Sequence, residues 1–238
     1  MRMKSALGLL LAAILIGAMS SCVSSGNGGA TGTGFIWIAT EGDQQVRAFN
    51  INLSSGSIGQ VGSSQATGIS PVALALTPDG KALFLANSSD GTITSYAVNS
   101  DGSLGGGTST QTSTPCTLSP PPCPGAPPPP SCGVLPAALA IDPGGKFLFV
   151  ANKGTFDLCD SAGNSSSGIV STYAINGTGL TFNSAFETES VTDLTGTGPS
   201  SVIASPTGNF LYVANQFSNT VEGFSSDTSS GALSPLST

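Results

Sequence analysis

A stretch of 17 residues occurs three times in this chain, and it limits the available folds more than any other feature. Residues 71–87, 136–152 and 199–215 align without a gap, their starts 65 and then 63 residues apart. Each opens on a proline (Pro71, Pro136, Pro199), turns at a Pro-x-Gly, and ends on Ala-Asn at Asn87, Asn152 or Asn215. A half copy, residues 35–40, lies near the start. Self-similarity at a near-constant period marks a repeat architecture, because one unit cannot bury its own apolar faces and must stack on its neighbours.

Each unit divides into short strands. Residues 72–77 are largely apolar and run into the turn at Pro78, Asp79 and Gly80. Proline suits the second position of a type I turn and glycine the residue that ends it. Residues 81–86 are apolar at nearly every position, the pattern of a strand buried on both faces. A third, β-branched strand follows Asp90 and Gly91 and carries an aromatic, Phe49, Tyr96, Tyr173 or Phe224 in the successive units. A Gly- and Thr-rich fourth strand is weaker. Four antiparallel strands per unit, the inner ones sealed on both faces, describe the blades of a β-propeller. A sandwich would alternate apolar and polar residues on every strand. The reading is therefore all-β, with about four blades at 35–70, 71–135, 136–198 and 199–238.

Here a family resemblance enters. Phe-Leu-Ala-Asn, Phe-Val-Ala-Asn and Tyr-Val-Ala-Asn, each after Pro-x-Gly, resemble YVTN-type repeats. The pattern over 35–238 is similar to the lactonase-like propellers, the group that includes 6-phosphogluconolactonase. The resemblance implies a seven-bladed closed ring and a lactonase that relies on His, Arg and Glu near its central channel. None of those residues maps here. The chain has no histidine, which removes the commonest general base and the Ser-His-Asp and Cys-His arrangements. Beyond the N-terminal segment the only arginine is Arg47. Glu187, Glu189 and Asp193 form an acidic cluster that reads as a solvated strand or loop. Asp79, Asp90 and Asp101 precede glycines and read as turn residues. No catalytic, cofactor or metal residue is expected.

The N-terminus carries a second signal. Arg2 and Lys4 precede an uncharged apolar run from Ala6 to Ala18, then Met19, Ser20, Ser21 and Cys22. A basic start, a short apolar core and small residues before a cut site describe a secretory leader. The run is shorter than the roughly 20 residues that span a bilayer. Cys22 at its end resembles the lipidated cysteine of bacterial lipoproteins, which makes residues 1–22 a lipoprotein leader. Residues 23–34 become a Gly/Ser tether with a reach of roughly 20 Å. The expected location is exported and membrane-anchored, facing the periplasm or the cell surface. After cleavage, four basic and thirteen acidic residues leave a net charge of −9, which excludes nucleic acid as a partner, since nothing basic remains to displace its counterions.

The other four cysteines are even in number, which in an exported chain favours disulfides. Cys116, Cys123 and Cys132 lie in a proline-rich insertion near 107–133, and Cys159 in a second insertion near 154–167. Blade topology puts both insertions on one face as neighbours. The expected pairs are Cys132–Cys159 between the insertions and Cys116–Cys123 within the first. With no His and no Cys-x-x-Cys, zinc is the weaker alternative.

These observations favour a non-catalytic binding or scaffold module, with a protein or small carbohydrate on the insertion face. A lactonase inherited from the family is the alternative. The first unit begins at its second strand, and the chain ends where a fourth strand begins. The sequence thus predicts an open, partial propeller, a truncated family member whose blade edges invite self-association.

Overall fold

The computed structural model describes residues 12–17, 32–112, 135–153, 168–187 and 198–236. They form four separate four-stranded antiparallel sheets, each in simple sequence order. Sheet one holds β1 (Ala12–Gly17), β2 (Thr33–Thr40), β3 (Gln45–Asn52) and β4 (Ile58–Ala66). Sheet two holds β5 (Pro71–Leu76), β6 (Ala82–Asn87), β7 (Thr92–Ala97) and β8 (Thr108–Gln111). Sheet three holds β9 (Pro136–Ile141), β10 (Phe147–Asn152), β11 (Ile169–Asn176) and β12 (Gly179–Glu187). Sheet four holds β13 (Pro199–Ala204), β14 (Phe210–Asn215), β15 (Thr220–Ser226) and β16 (Leu233–Pro235). The sheets stack in order as blades, with β1 and β2 against β5, β5 and β6 against β9, and β9 and β10 against β13.

The repeat explains the stacking. Side chains alternate faces along a strand, so each second strand presents one set of residues to the blade before it and one to the blade after. Trp37 and Ala39 of sheet one meet Leu83, Leu85 and Tyr96 of sheet two. Ala82, Phe84 and Ile93 on the far side of sheet two meet Leu148, Val150 and Tyr173 of sheet three. Phe147, Phe149 and Val170 in turn meet Leu211, Val213 and Phe224 of sheet four. β6 and β10 are accordingly buried at every position. β14 has the same sequence character yet alternates: Leu211 and Val213 are buried, while Phe210 and Tyr212 are exposed. Among the described residues no sheet packs on that side of sheet four.

A recurring contact locks adjacent blades at their rims. The Phe35 ring lies over Gly102, where an added Cβ would sit 2.1 Å from it, and Trp37 Nε1 donates to the Gly102 carbonyl at 3.0 Å. Gly102 has φ +82°, a conformation that glycine adopts without strain. Phe147 covers Gly231 in the same way between sheets three and four, at 2.6 Å.

At the N-terminus the structure differs from the expectation. The first blade is not missing its inner strand, because β1 fills that place, paired with β2 from Ala12↔Thr40 to Gly17↔Phe35. This is the apolar run expected to be the core of a leader. The physical reason is the edge of β2, whose unpaired N–H and C=O groups accept an apolar strand. The fourth strands are short where the sequence is weakest, at β8 and β16.

The interblade aromatics set the stability. Phe84→Ala removes a fully buried ring and is expected to cost about 3–5 kcal/mol. Urea unfolding of the two chains checks this; a loss under about 1 kcal/mol would mean that sheets two and three are not packed through this ring.

Candidate binding face

The start of each first strand and the end of each second strand lie at the same end of the blade. Pro71 stands opposite Asn87, Pro136 opposite Asn152 and Pro199 opposite Asn215, and the ladder shifts register at each pair. Proline has no N–H to give to a ladder, so the pairing breaks there. The segment ahead of each proline bonds instead to the loop leaving the second strand, as Ser88 N to the Ser70 carbonyl, Lys153 N to Leu135 and Gln216 N to Gly198. The Lys153–Leu135 bond, at 2.9 Å, holds side by side the ends of the two segments that carry the cysteine-bearing insertions.

A row of buried amides runs along this face. Asn87 donates through Nδ2 to Thr92 Oγ1 and Thr94 Oγ1, both at 2.9 Å. Asn152 donates to Ser171 Oγ at 3.2 Å, and Asn215 to Thr220 Oγ1 at 3.5 Å. In all three the Oδ1 atom is buried with no hydrogen-bond partner. These asparagines are more than strand-end residues: each joins its own second strand to the third. Asp90 extends the network, accepting from Thr92 Oγ1 at 2.7 Å and from Ile69 N at 2.8 Å. The sequence marked Asp90 only as a turn residue, and its reach across 21 residues had no local signal. Gly68 admits the contact, since a Cβ there would sit 2.3 Å from Asp90 Oδ2.

Sheet one carries the charged version of this arrangement. Thr40 takes the asparagine position, and Arg47 replaces the third-strand threonine. Arg47 forms an ion pair with Asp43 and donates to Thr40 Oγ1 at 3.1 Å, and Thr40 also donates to Asp43. The Arg47 guanidinium, then the Thr40 hydroxyl, hold the Asp43 carboxyl down at about 2. The two tyrosines of the third strands are committed elsewhere. Tyr96 donates to the Ala66 carbonyl and Tyr173 to that of Thr112, and burial pushes both hydroxyls up to about 12.

A cleft of about 620 Å³ opens at the opposite end of the blades, between sheets two and three, lined in part by Thr77, Lys81, Ala82, Gly145, Ile175 and Gly177. Asp79 beside it accepts from Thr77 Oγ1 at 2.6 Å and from Lys81 N at 3.1 Å, as its turn predicts. Asp101 likewise accepts from Ser103.

Of the residues singled out from sequence, Cys22, Cys116, Cys123, Cys132 and Cys159 all lie outside the described residues, as do Glu189 and Asp193. Glu187 ends β12, opposite Ile169 on β11. Among the described residues no group of His, Cys, Asp or Glu is placed to hold a metal ion.

The Asp43–Arg47 pair makes a pH prediction. A carboxyl whose folded value is depressed adds stability that is complete above the ordinary carboxylate value and fades as pH falls through about 2. The Asp43 carboxyl carbon should therefore titrate near 2 by NMR. Arg47→Ala should return it towards the ordinary range, and an unchanged midpoint would show that Arg47 does not hold it.

Comparison with known proteins completes the assignment. The family model "Lactonase, 7-bladed beta-propeller" matches residues 30–121 and 119–238. No curated protein sequence matches the chain. Among solved structures, a protein of Bacteroides uniformis described as a candidate 6-phosphogluconolactonase superposes with a TM-score of 0.63 at 16% identity, over 84% of this chain and 50% of its own. A protein from Lactobacillus plantarum gives 0.60 at 18% identity, over 96% and 66%. One of unknown function from Desulfotomaculum acetoxidans gives 0.57 at 19%, over 87% and 54%. At these identities the superpositions speak for the fold alone, and the chain spans half to two thirds of those structures. With the family model matching nearly the whole bladed region, the chain belongs to the lactonase family of seven-bladed β-propellers.

Proposed function

We propose that the propeller acts on a lactone, a sugar lactone such as gluconolactone or its 6-phosphate, at the face bearing the asparagine row and the two insertions. The observation that carries this reading is the family match across residues 30–121 and 119–238. The reaction adds water to the ester carbonyl and breaks the ring C–O bond, leaving an open-chain hydroxy acid. On this face Asp43 stays anionic and Arg47 offers a cation to a phosphate or to the new carboxylate.

One observation favours a second reading, a module that binds such a ligand without turning it over. A general base works best with a pKa near the working pH, and Asp43 is held far below it. The chain also contains no histidine. A pH-stat assay at neutral pH separates the readings. Opening of gluconolactone or its 6-phosphate by the full chain, faster than in buffer and reduced by Arg47→Ala, supports the hydrolase. Saturable binding at the buffer rate supports the binding module. Neither rate nor binding overturns both.

The proposed setting is the exported one, with the chain cleaved before a lipidated Cys22 and its insertions cross-linked as Cys132–Cys159 and Cys116–Cys123. Cleavage there takes β1 away with the leader and frees the inner edge of β2. The bond between Leu135 and Lys153 supports the adjacency this needs. A cross-link between insertions typically contributes about 2–4 kcal/mol. Intact-mass analysis and non-reducing peptide mapping should find acyl chains on an N-terminal Cys22 and one fragment spanning both insertions. An unmodified N-terminus elsewhere would remove the anchor from the proposal, and four free thiols would remove the cross-links.

A further inference from the structure

Of the three junctions between the described blades, two are closed at the rim by the same contact and one is not. Phe35, in β2, covers Gly102 of sheet two, and Phe147, opening β10, covers Gly231 of sheet four. Between sheets two and three the corresponding residue is Ala82, which opens β6. Its methyl group packs towards sheet three. Gly177, in the facing hairpin, has φ +62° and nothing within 4 Å of the place a Cβ would take. That hairpin is also drawn in. In sheet two, residues 99–103 loop out between Val98 and Leu104, whereas in sheet three only Gly177 and Thr178 separate Asn176 from Gly179. The ring and the longer loop are both absent, and the cleft of about 620 Å³ stands where they would meet.

Both walls of the cleft are interior blades, so a blade added at either end of the stack would leave it as it is. Its volume falls in the range of small-molecule sites, about 300–1,000 Å³, and a far smaller apolar hollow, of about 150 Å³, takes up benzene. The intact junctions show what this one receives. In each, a benzyl side chain lies against a glycine of positive φ, whose missing Cβ lets the ring approach. Gly177 keeps that conformation without the ring. The charged groups of the lining point to the rest of the ligand. Asp79 is committed to Thr77 Oγ1 and to the backbone N of Lys81. The Lys81 side chain is 81% exposed, and its ammonium lies 3.8 Å from Asp79. An ion pair so open to water contributes little, which leaves Lys81 able to take a second anion.

We propose that this cleft binds a small aromatic carboxylate, its ring seated against Gly177 beside Ala82 and its carboxylate on Lys81 Nζ. The ligand supplies from solution the ring that Phe35 and Phe147 supply from the chain. The site lies at the end of the blades away from the asparagine row, and it is independent of any chemistry on that face.

Titration of phenylacetate into the isotope-labelled full chain, followed by NMR, tests this. The Ala82 methyl and Gly177 amide signals should shift saturably, with a Kd of about 1 mM or below for a ligand of this size, while Asn87 and Asn152 stay in place. Overhauser contacts from the ring protons to Ala82 and Ile175 should locate the ring without recourse to any variant. Ala82→Phe restores the ring from the chain itself, as at Phe147, so it should keep the far-UV circular dichroism and weaken phenylacetate by about tenfold or more through direct overlap. Lys81→Ala should weaken phenylacetate about threefold, the size of an exposed ion pair, and leave benzyl alcohol unaffected. Shifts that do not saturate, shifts confined to the asparagine row, undiminished binding to a folded Ala82→Phe chain, or phenethylamine binding as tightly as phenylacetate would each overturn the proposal.

Discussion

Everything in this molecule depends on face-to-face burial between neighbouring sheets. A single four-stranded sheet has two broad faces, and in this repeat both are apolar. The ring of Phe84 and the branched chain of Ile93 face one way, Leu83 and Leu85 the other. Neither face is stable in water, so each sheet requires a neighbour on each side, and the energy of the fold lies between the blades. Hydrogen bonds set the register within a blade. The choice of Phe, Leu or Val at alternate positions decides how two blades fit.

The architecture was legible because that requirement is written into period and polarity. The continuous apolar run 81–86 could only be a strand covered twice, and β6 is buried at all its positions. The exposed face of sheet four was legible for the same reason, since Phe210 and Tyr212 repeat the apolar positions of Phe147 and Phe149 and no described strand packs on them. Two things were not. The pairing of residues 12–17 with β2 had no local sign, because an apolar run of that composition serves equally as the core of a leader or as an inner strand. Asp90 resembled every other Asp-Gly turn, and its bond to Ile69 N appears only once the fold brings those loops together. Residue spacing along the chain carries information about neighbours in a sheet. It carries little about which loop meets which.

The polar row shows how a repeat diversifies without losing its frame. Asn87, Asn152 and Asn215 each tie a second strand to a third, but their partners differ, two threonines in one blade, a serine in another. In the first blade the position becomes Thr40, and the neighbouring residue becomes Arg47 with Asp43 as its counterion. The backbone is unchanged and only the chemistry presented at one end of the blade varies. Fold and function therefore separate cleanly here: apolar positions are held constant by packing, while the strand ends are free to diverge.

Ala82 shows the reverse, a change in the part that packs. It stands where Phe35, Phe147 and Phe210 stand in the other blades, and the glycine it should cover, Gly177, has open space beside it. The cleft between sheets two and three lies along both residues. A hollow has been made by leaving out one benzyl group, with no new backbone and no added loop. Truncating a buried aromatic to alanine ordinarily costs about 3–5 kcal/mol, and at the rim of a blade water can enter and soften that loss. A protein built from copies can thus acquire a concavity by subtraction, at whichever junction one copy drops its plug.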